Sequence, residues 1–297
     1  MQVGISTACA AAAGGDPARV IDLIERSGAT GVELDASLDE AQLDALTRLL
    51  GARRDGLPIW SVEAPCPRRR ESTAELCAVD REESAVAVAA ALATLQLAAD
   101  VGADLVSLRL GEARVLVRGW PALRRCWLRG ELDEDALAAC VRDRAASGRV
   151  HIDPARRALD RLARAAGDLG LHVCVRNAAR PIGFPTPVEL RALLGDLSGA
   201  PVVAQLDLPA AHLCSQFGAV LDDTITAFTA APADKLLVRA ADACGPVAGL
   251  PPGAGELDLR RALATVDKKA RLLYTPWPHL TSDEVKSAIP LLQQLTF

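Results

Sequence analysis

Seven charged residues stand near the ends of runs of β-type sequence, which is where enzymes built on parallel strands hold their catalytic groups. Four are carboxylates and three are guanidinium groups: Glu33, Asp35, Glu63 and Asp207, with Arg109, Arg176 and Arg239. Arginine stays protonated at working pH and binds phosphate or carboxylate through paired hydrogen bonds, while a neighbouring carboxylate can move a proton. Such a set predicts either a pocket for an anionic small molecule or a closed network of ion pairs.

The elements that must position these residues alternate regularly along the chain. Eight short β-type runs cover residues 3–7, 31–37, 58–65, 104–111, 171–177, 201–209, 235–242 and 271–277. Helix-type segments separate them, and two begin at good first-turn signals, Asp16-Pro17 and Thr281. Eight successive βα units predict one α/β domain over residues 1–297, a (β/α)8 barrel whose active site lies at the carboxyl ends of the strands.

Strand alternation predicts which side chains point into this barrel. If Arg176 points inward, alternate residues of its strand do so as well, and the hydrophobic residues between them face the helices. The same reasoning turns Glu63 inward and Trp60 toward the helices. Buried charges at this density must be paired with one another or must contact a ligand.

The longest connection covers residues 112–150, after the fourth strand. It contains a predicted helix over residues 133–146, preceded by five arginines and two tryptophans: Arg114, Arg118, Arg124, Arg125, Arg129, Trp120 and Trp127. One interpretation is a lid over the barrel mouth, and the other is a solvated insertion whose tryptophans pack on the rim. Arg68, Arg69 and Arg70 follow the third strand and add to the arginines near the mouth.

Composition narrows the classes of partner. The formal net charge of -5 disfavours nucleic-acid binding, and no uninterrupted apolar run suggests a membrane span. The chain opens with strand-like residues rather than a signal peptide, and its eight cysteines form no CxxC pair. We therefore expect a cytoplasmic protein with a small-molecule substrate.

Several segments together resemble the xylose isomerase-like TIM barrels. They are GVELDAS, SVEAPCP, LATLQLAADVGADLVSLRLG, LGLHVCVRN, VVAQLDLPAAH and LPPGAGELDL, in order along the chain. The resemblance implies a xylose isomerase-like barrel, a possible homodimer, and isomerase, epimerase or lyase chemistry. The family also includes AP endonucleases, but the several metal ligands and the basic face that such enzymes need are not evident in this sequence.

The same resemblance implies a divalent metal held by a Glu, an Asp, a His and a Glu at the ends of the fifth to eighth strands. Arg176, Asp207, Arg239 and Thr275 stand at those positions, with Tyr274 replacing Thr275 if the register differs by one. Arginine has no lone pair for a metal. We therefore expect no metal and no other cofactor, with Arg176 taking over the electrostatic role of the ion.

These observations predict a metal-independent isomerase, epimerase or lyase-type enzyme for a small, anionic substrate bound in an arginine-lined mouth. Glu63 or Asp207 is the expected proton-transfer group, and the other expected contacts to substrate are listed together: Arg109, Arg176, Arg239, Glu33, Trp277 and His212. The alternative is a non-catalytic barrel, binding a ligand or partner, whose inner charges form a closed ion-pair network.

Four cysteines near strand ends leave a further alternative open. Cys9, Cys66, Cys174 and Cys244 could supply a thiol nucleophile or a soft-metal site, or they could be small buried hydrophobic residues. In the loop PPGAGELD, Asp258 is expected to cap the next helix.

Overall fold

Eight parallel strands close into a barrel, as the sequence predicts. They are β1 (Gln2–Ser6), β2 (Val32–Leu34), β3 (Ile59–Glu63), β4 (Leu105–Leu108), β6 (His172–Arg176), β8 (Val202–Asp207), β9 (Leu237–Arg239) and β12 (Arg271–Tyr274). Neighbouring strands pair in parallel, and β1 closes the sheet by pairing with both β2 and β12. All their carboxyl ends therefore meet at one mouth.

The computed structural model describes residues 1–52, 56–68, 73–113, 120–131, 133–180, 182–216 and 237–296. Arg69, Arg70, Arg114 and Arg118 lie outside the described residues, as do the first two residues of the predicted seventh β-type run.

Helices surround the barrel. They are α1 (Pro17–Ser27), α2 (Glu40–Gly51), α3 (Arg81–Asp100), α4 (Trp120–Leu128), α5 (Glu134–Asp168), α6 (Pro187–Asp196), α7 (Leu208–Ser215), α8 (Leu259–Leu263) and α9 (Ser282–Leu295), with a 3-10 turn over Thr7–Ala11. The expected start signals are confirmed, because Asp16, Asp258 and Thr281 each accept a hydrogen bond from a backbone N–H of the first turn.

Helix α5 joins the predicted helix over residues 133–146 to a second helix-type segment, DPARRALDRLARAAGDLG, which begins at Asp153. The two form one element of 35 residues, with Pro154 inside it. Proline removes one backbone hydrogen bond, but buried side chains on both sides of it, including Cys140 and Leu159, hold the helix against the rest of the molecule. Tertiary packing therefore overrides the local break.

Two small antiparallel sheets lie at the barrel mouth. Strand β5 (Gly111–Glu112) pairs with β7 (Gly183–Phe184), and β10 (Asp242–Cys244) pairs with β11 (Val247–Leu250). The first pair ties the loop after β4 to the loop after β6, and an ion pair of 2.8 Å between Arg180 Nη1 and Glu112 Oε1 reinforces it.

The strand alternation is wrong at Trp60, whose side chain lies inside the barrel rather than against the helices. It packs with Leu105, Cys174, Val203, Leu237 and Leu273 in an inner layer. The pairing of β2 with β3 shifts by one residue between Ile59 and Ser61, and this bulge places Trp60 out of step with the two-residue repeat. The indole fills the space above Gly4 and Gly31, where a Cβ atom on either glycine would collide with it.

Helix α3 corrects another expectation. By length and composition it is apolar enough to span a membrane, although the sequence suggests no such run. Its buried residues, among them Val88, Ala91 and Leu95, face the barrel, and the helix packs against α5, β3 and β4. We interpret it as a core helix of the barrel, which meets the same criterion.

Candidate active site

A cavity of about 930 Å³ opens at the carboxyl ends of the barrel strands. Six of the seven inner charges line it: Asp35, Glu63, Arg109, Arg176, Asp207 and Arg239. Glu33 is fully buried and does not line the cavity. Strand geometry thus brings together the charged residues that alternation points inward, in the place where a (β/α)8 enzyme holds its substrate.

Glu63 lies at the centre of the charge cluster and contacts three guanidinium groups. Its Oε1 is 2.7 Å from Arg109 Nη2 and 2.9 Å from Arg176 Nη2, and its Oε2 is 2.8 Å from Arg239 Nη2. Burial opposes ionisation of Glu63, but the charges of Arg176, Arg239 and Arg109 outweigh it and hold the pKa of the carboxyl well below its usual range. Glu63 is therefore a firmly ionised anchor for the arginines.

Arg239 joins Glu63 to a second buried carboxyl group. Its Nη2 donates to Glu33 Oε1 at 2.7 Å, and its Nη1 donates to Thr275 Oγ1 at 2.8 Å. Glu33 Oε2 accepts from Ser61 Oγ at 3.0 Å. Burial of Glu33 raises its pKa to about 7 even though Arg239 opposes the shift, and the nearby charge of Glu63 adds to it. Burial acts against the charge of Arg239 too, but these two carboxyls raise its pKa.

Arg176 and Asp207 form a looser pair on the other side of Glu63. Arg176 Nε lies 3.7 Å from Asp207 Oδ2, which is an ion pair without a direct hydrogen bond. Asp207 Oδ1 accepts from Ala210 N at 2.9 Å and so caps α7. Burial lowers the pKa of Arg176, and the charge of Arg239 lowers it further.

Asn177 holds the backbone of Asp207, although the sequence pattern does not identify it as a site residue. Its Oδ1 accepts from Asp207 N at 2.8 Å, and its Nδ2 donates to Asp207 O at 3.2 Å. The side chain thus ties the end of β6 to the end of β8. Its position next to Arg176 at a strand end was the signal available in the sequence.

Arg109 differs from the other two inner arginines in its exposure. Its side chain is 66% exposed, against 8% for Arg176 and 4% for Arg239. The inner charges therefore divide into two groups. Glu33, Glu63 and Arg239 bond one another and have side chains at most 4% exposed, whereas the side chains of Arg109, Arg176 and Asp207 are 66%, 8% and 14% exposed.

Trp277 and His212, the two uncharged members of the expected set, have different placements. Trp277 lines the cavity, and its ring packs against that of His279 at 5.5 Å between centroids. His212 does not line it: its Nε2 lies 3.2 Å from Gln216 Nε2 and 3.8 Å from Glu256 Oε2. The rim also holds Glu112 and Arg180, which are not among the residues predicted from sequence.

The cavity lining is mixed in charge. Five carboxylates contribute to it, Asp35, Glu63, Glu75, Glu112 and Asp207, against four guanidinium groups, Arg109, Arg176, Arg180 and Arg239. Two guanidinium groups and one carboxylate stand at the four implied ligand positions, but this local excess of positive charge does not extend to the cavity as a whole. The cavity therefore has no overall basic field.

Of the four cysteines near the strand ends, Cys9, Cys66 and Cys174 are buried and Cys244 is exposed. None of the eight forms a disulfide, and none lines the cavity in the part of the chain that the structure describes. Burial raises the pKa of the Cys9 and Cys66 thiols to about 12, and it raises those of Cys77 and Cys214 equally. A thiol of this kind is a poor nucleophile at neutral pH.

The residues at the four metal-ligand positions implied by the family do not fit a divalent metal. Arg176 and Arg239 offer N–H donors and no lone pair, and Thr275 Oγ1 already accepts from Arg239. Glu33, Asp35 and Glu63 bring three carboxylate oxygens within 4.8 Å of one another, but Arg239 bonds two of these carboxylates. Guanidinium groups thus fill the electrostatic place of a cation.

Comparison with protein families gives one match over most of the chain. A family model described as xylose isomerase-like TIM barrel matches residues 21–274. No curated protein matches the sequence.

Solved structures share the architecture at low sequence identity. A D-tagatose 3-epimerase-like protein superimposes with a TM-score of 0.70 at 13% identity, covering 99% of this chain and 97% of the other. A putative xylose isomerase from Rhodospirillum rubrum gives 0.70 at 16% identity, with 99% of both chains covered. The 3-keto-D-glucoside 4-epimerase of E. coli gives 0.66 at 14% identity, with 99% of both chains covered.

Proposed function

The chain belongs to the family of xylose isomerase-like TIM barrels, and from that premise we propose that it is a metal-independent isomerase or epimerase. Its substrate is a small polar molecule that carries one phosphate or carboxylate group. The observation behind the proposal is that Arg109, Arg176 and Asp207, the more exposed members of the charge cluster, line the cavity together.

Arg109 and Arg176 bind the anionic part of the substrate or its developing charge. The Arg109 side chain is exposed at the cavity surface. Arg176 donates a hydrogen bond from Nη2 to Glu63, and its Nε lies 3.7 Å from Asp207 Oδ2, too far for a hydrogen bond. Guanidinium groups match phosphate and carboxylate oxygens through paired hydrogen bonds, which are strengthened in a partly enclosed site. Glu63 holds both arginines in place from below.

Asp207 is the proton-transfer group in this proposal. Its Oδ2 takes a proton from the carbon next to a substrate carbonyl, and the C–H electron pair moves into the new C–C double bond while the carbonyl oxygen becomes an enolate oxygen. Arg176 stabilises that negative oxygen. When the first carbon carries a hydroxyl group, return of the proton from Asp207 to the former carbonyl carbon and transfer of the hydroxyl proton to the former carbonyl oxygen complete an isomerisation in which no proton is gained or lost.

Asp35 extends the same chemistry to epimerisation. It follows β2, which stands opposite β8 in the closed barrel, so the carboxylates of Asp35 and Asp207 reach the cavity from opposite sides. Epimerisation needs a proton removed from one face of a carbon and another delivered to the opposite face. The epimerases among the structural neighbours support this form of the proposal.

Glu63 is a positioning residue here rather than the catalytic base. Three guanidinium groups hold its pKa well below its usual range, so it is a weak proton acceptor at neutral pH. Lyase chemistry, which the family also includes, stays a prediction.

A non-catalytic barrel is the second candidate function, and a different observation favours it. Glu33, Glu63 and Arg239 are buried and bonded to one another, as a purely structural network requires. In that case the remaining arginines bind a ligand without turning it over, and Asp207 serves only as the cap of α7.

We also propose a cytoplasmic location, in keeping with eight cysteines that form no disulfide. Homodimerisation, which the family resemblance implies, stays a prediction, and so does the absence of membrane and nucleic-acid partners.

The test begins with a thermal-shift panel of sugar phosphates, hydroxy acids, keto acids and neutral sugars. A compound that binds the folded protein raises its Tm by mass action. Arg109→Gln should remove the shift caused by an anionic compound and leave the unliganded Tm close to that of the wild type, because Arg109 is exposed.

Compounds that bind are then incubated with the enzyme in D2O and followed by NMR. An isomerase or epimerase exchanges the proton next to the carbonyl for deuterium, and Asp207→Asn should abolish the exchange. Glu112→Gln on the rim is the matched control and should retain it. Binding without exchange by the wild type would establish the non-catalytic candidate, and the absence of any binding compound would contradict both.

A further inference from the structure

A second, smaller cavity lies outside the barrel, in a groove between α3 and α5. Its volume is about 370 Å³, near the lower end of the range of roughly 300–1,000 Å³ for small-molecule sites. Three arginines stand in its wall: Arg81 at the start of α3, and Arg157 and Arg161 one turn apart on α5. The lining contains no carboxylate.

These three arginines have no ion-pair partner among the described residues. Other arginines on the same helix do: Arg144 pairs with Glu189, Arg156 Nη2 lies 3.1 Å from Asp153 Oδ1, and Arg164 Nη2 lies 2.6 Å from Asp160 Oδ2. The arginines of the groove thus keep open hydrogen-bond donors. Concentrated positive charge without a counterion is costly, and an anionic ligand relieves it.

The remaining lining defines the rest of the ligand. Ser84 adds a hydroxyl group, and the other lining residues are small and apolar: Ala78, Val79, Ala85, Val88, Pro154 and Ala158. One arginine is enough to satisfy the two oxygens of a carboxylate, whereas three match the greater charge and the additional oxygens of a phosphate monoester. The apolar lining suits a short organic group attached to it.

We propose that the groove between α3 and α5 is a second ligand site, separate from the central cavity, and that it binds a small organic phosphate. Arg81, Arg157 and Arg161 hold the phosphate group, and the organic part lies against the apolar lining. The site does not depend on the proposed catalytic function.

One chain segment connects this groove to the central cavity. Thr73, Ala74 and Glu75 line the cavity, and Ala78 and Val79 line the groove only three residues further on. Between them, the carbonyl oxygen of Cys77 lies 2.8 Å from His151 Nδ1 of α5. A ligand in the groove therefore contacts the same short segment that forms one wall of the central cavity.

The experiment is isothermal titration calorimetry of the full chain with phenyl phosphate in a phosphate-free buffer. The double variant Arg157→Gln/Arg161→Gln should weaken binding at least about tenfold, because it removes two of the three charge-assisted contacts. The matched control Arg156→Gln/Arg164→Gln changes the net charge equally on the same helix and should keep the affinity within about twofold of wild type, since these arginines are outside the groove.

Arg109→Gln separates this site from the central cavity. If phenyl phosphate binds at the groove, Arg109→Gln retains that binding event while Arg157→Gln/Arg161→Gln loses it. The proposal is overturned if the wild type shows no binding at millimolar concentration, if both helix double variants lose affinity equally, or if only Arg109→Gln reduces it. Circular-dichroism melts of each variant check that these exposed substitutions leave the fold intact.

Discussion

At the scale of single residues, Arg239 is the buried cation on which the inner cluster depends. It bonds Glu33, Glu63 and Thr275, and its side chain is 4% exposed. A buried ion pair adds little net stability compared with a hydrophobic substitute, but the loss of one partner leaves the other charge stranded. Here a single guanidinium serves two carboxyl groups.

Replacing Arg239 should therefore cost much of the stability of the fold. We expect Arg239→Met to lower the free energy of unfolding by about 3–5 kcal/mol, because Glu63 and Glu33 lose their shared counterion. Urea denaturation at pH 8 measures the change. Arg180→Met, which breaks the exposed pair with Glu112, is the control and should cost about 1 kcal/mol or less. Equal losses in the two variants would contradict a special role for the buried cluster.

Glu33 should make stability depend on pH in the direction opposite to Glu63. The folded pKa of Glu33 is raised to about 7, so the folded protein holds a proton there that the unfolded chain has released. The contribution of Glu33 is therefore full below the unfolded pKa, near 4.5, and is lost as the pH rises through 7. The pKa of Glu63 is lowered, so its contribution is present above about 4.5 and is lost in acid.

Glu33→Gln tests this sign directly. Wild type should lose stability on the order of 3 kcal/mol relative to the variant between pH 5 and 8, because the variant has no proton to release at this position. Urea midpoints at several pH values measure the difference between the two proteins, which cancels groups that titrate in both. A difference that grew in favour of wild type as the pH rose would contradict the raised pKa.

Much of the residue-level site could be predicted from sequence, but its division into two halves could not. Alternation identifies the inward charges because a two-residue repeat is a local property of a strand. Which carboxylate binds which arginine depends on shear between strands that are far apart in sequence, as with Arg239 and Glu33. For the same reason Asn177 and Asp207 could not be paired beforehand.

At the scale of elements, one arginine joins α5 to the neighbouring helix and loop. Arg144 Nη1 and Nη2 lie 2.9 and 2.7 Å from the two carboxylate oxygens of Glu189, and its Nη2 also donates to the carbonyl of Gly183 at 2.8 Å. Gly148, one turn further along α5, leaves room for this side chain, since a Cβ atom there would collide with Arg144 and Glu189.

Gly148→Ala should destabilise the protein even though alanine favours helices. Displacing Arg144 from Glu189 leaves buried charges poorly paired, with a cost of about 1–3 kcal/mol. Gly167→Ala in the same helix is the matched control: its Cβ atom would lie 3.7 Å from Pro201, in ordinary contact, so this change should stabilise by up to about 1 kcal/mol. Thermal melts compare the two, and stabilisation by both would contradict the requirement for glycine at 148.

Element boundaries show where sequence reasoning fails. The sequence pattern gives two helix-type segments within residues 133–168, yet α5 is continuous because packing on both sides of Pro154 outweighs the helix-breaking effect of proline. Trp60 illustrates the opposite limit. A bulge in β3 is set by the fit of the indole over Gly4 and Gly31, a contact between three strands that no local pattern contains.

At the scale of the whole molecule, fixed guanidinium groups should make stability independent of divalent metals. We expect EDTA, Mg²⁺, Mn²⁺ and Co²⁺ each to change the wild-type Tm by less than about 1 °C, because the folded state gains no ligand. A rise of several degrees with Mn²⁺ would contradict this and would point to a different donor set, such as Glu33, Asp35 and Glu63.

The double variant Arg176→Glu/Arg239→His should respond to divalent metals where the wild type does not. It places a carboxylate and an imidazole beside Asp207, so Mn²⁺ or Co²⁺ should raise its Tm, or permit folding if the metal-free variant fails to fold. Wild type and variant are compared in the same metal series.

The overall architecture was predictable because it rests on many weak signals that agree. Eight β-type runs separated by capped helices leave few alternatives to a closed parallel barrel, and single errors such as Trp60 do not alter the count. Function depends instead on a few atoms at the mouth, where the replacement of a single side chain can change the chemistry.

The labelling rates of the buried thiols measure how often parts of the native protein open. A thiol reagent reaches Cys9, Cys66, Cys77 or Cys214 only after the surrounding structure opens, and these residues are spread around the barrel. Their labelling rates, resolved by peptide mass spectrometry, rank the opening free energies of separate sectors in one sample. Cys244, which is exposed, needs no such opening and supplies the reference rate.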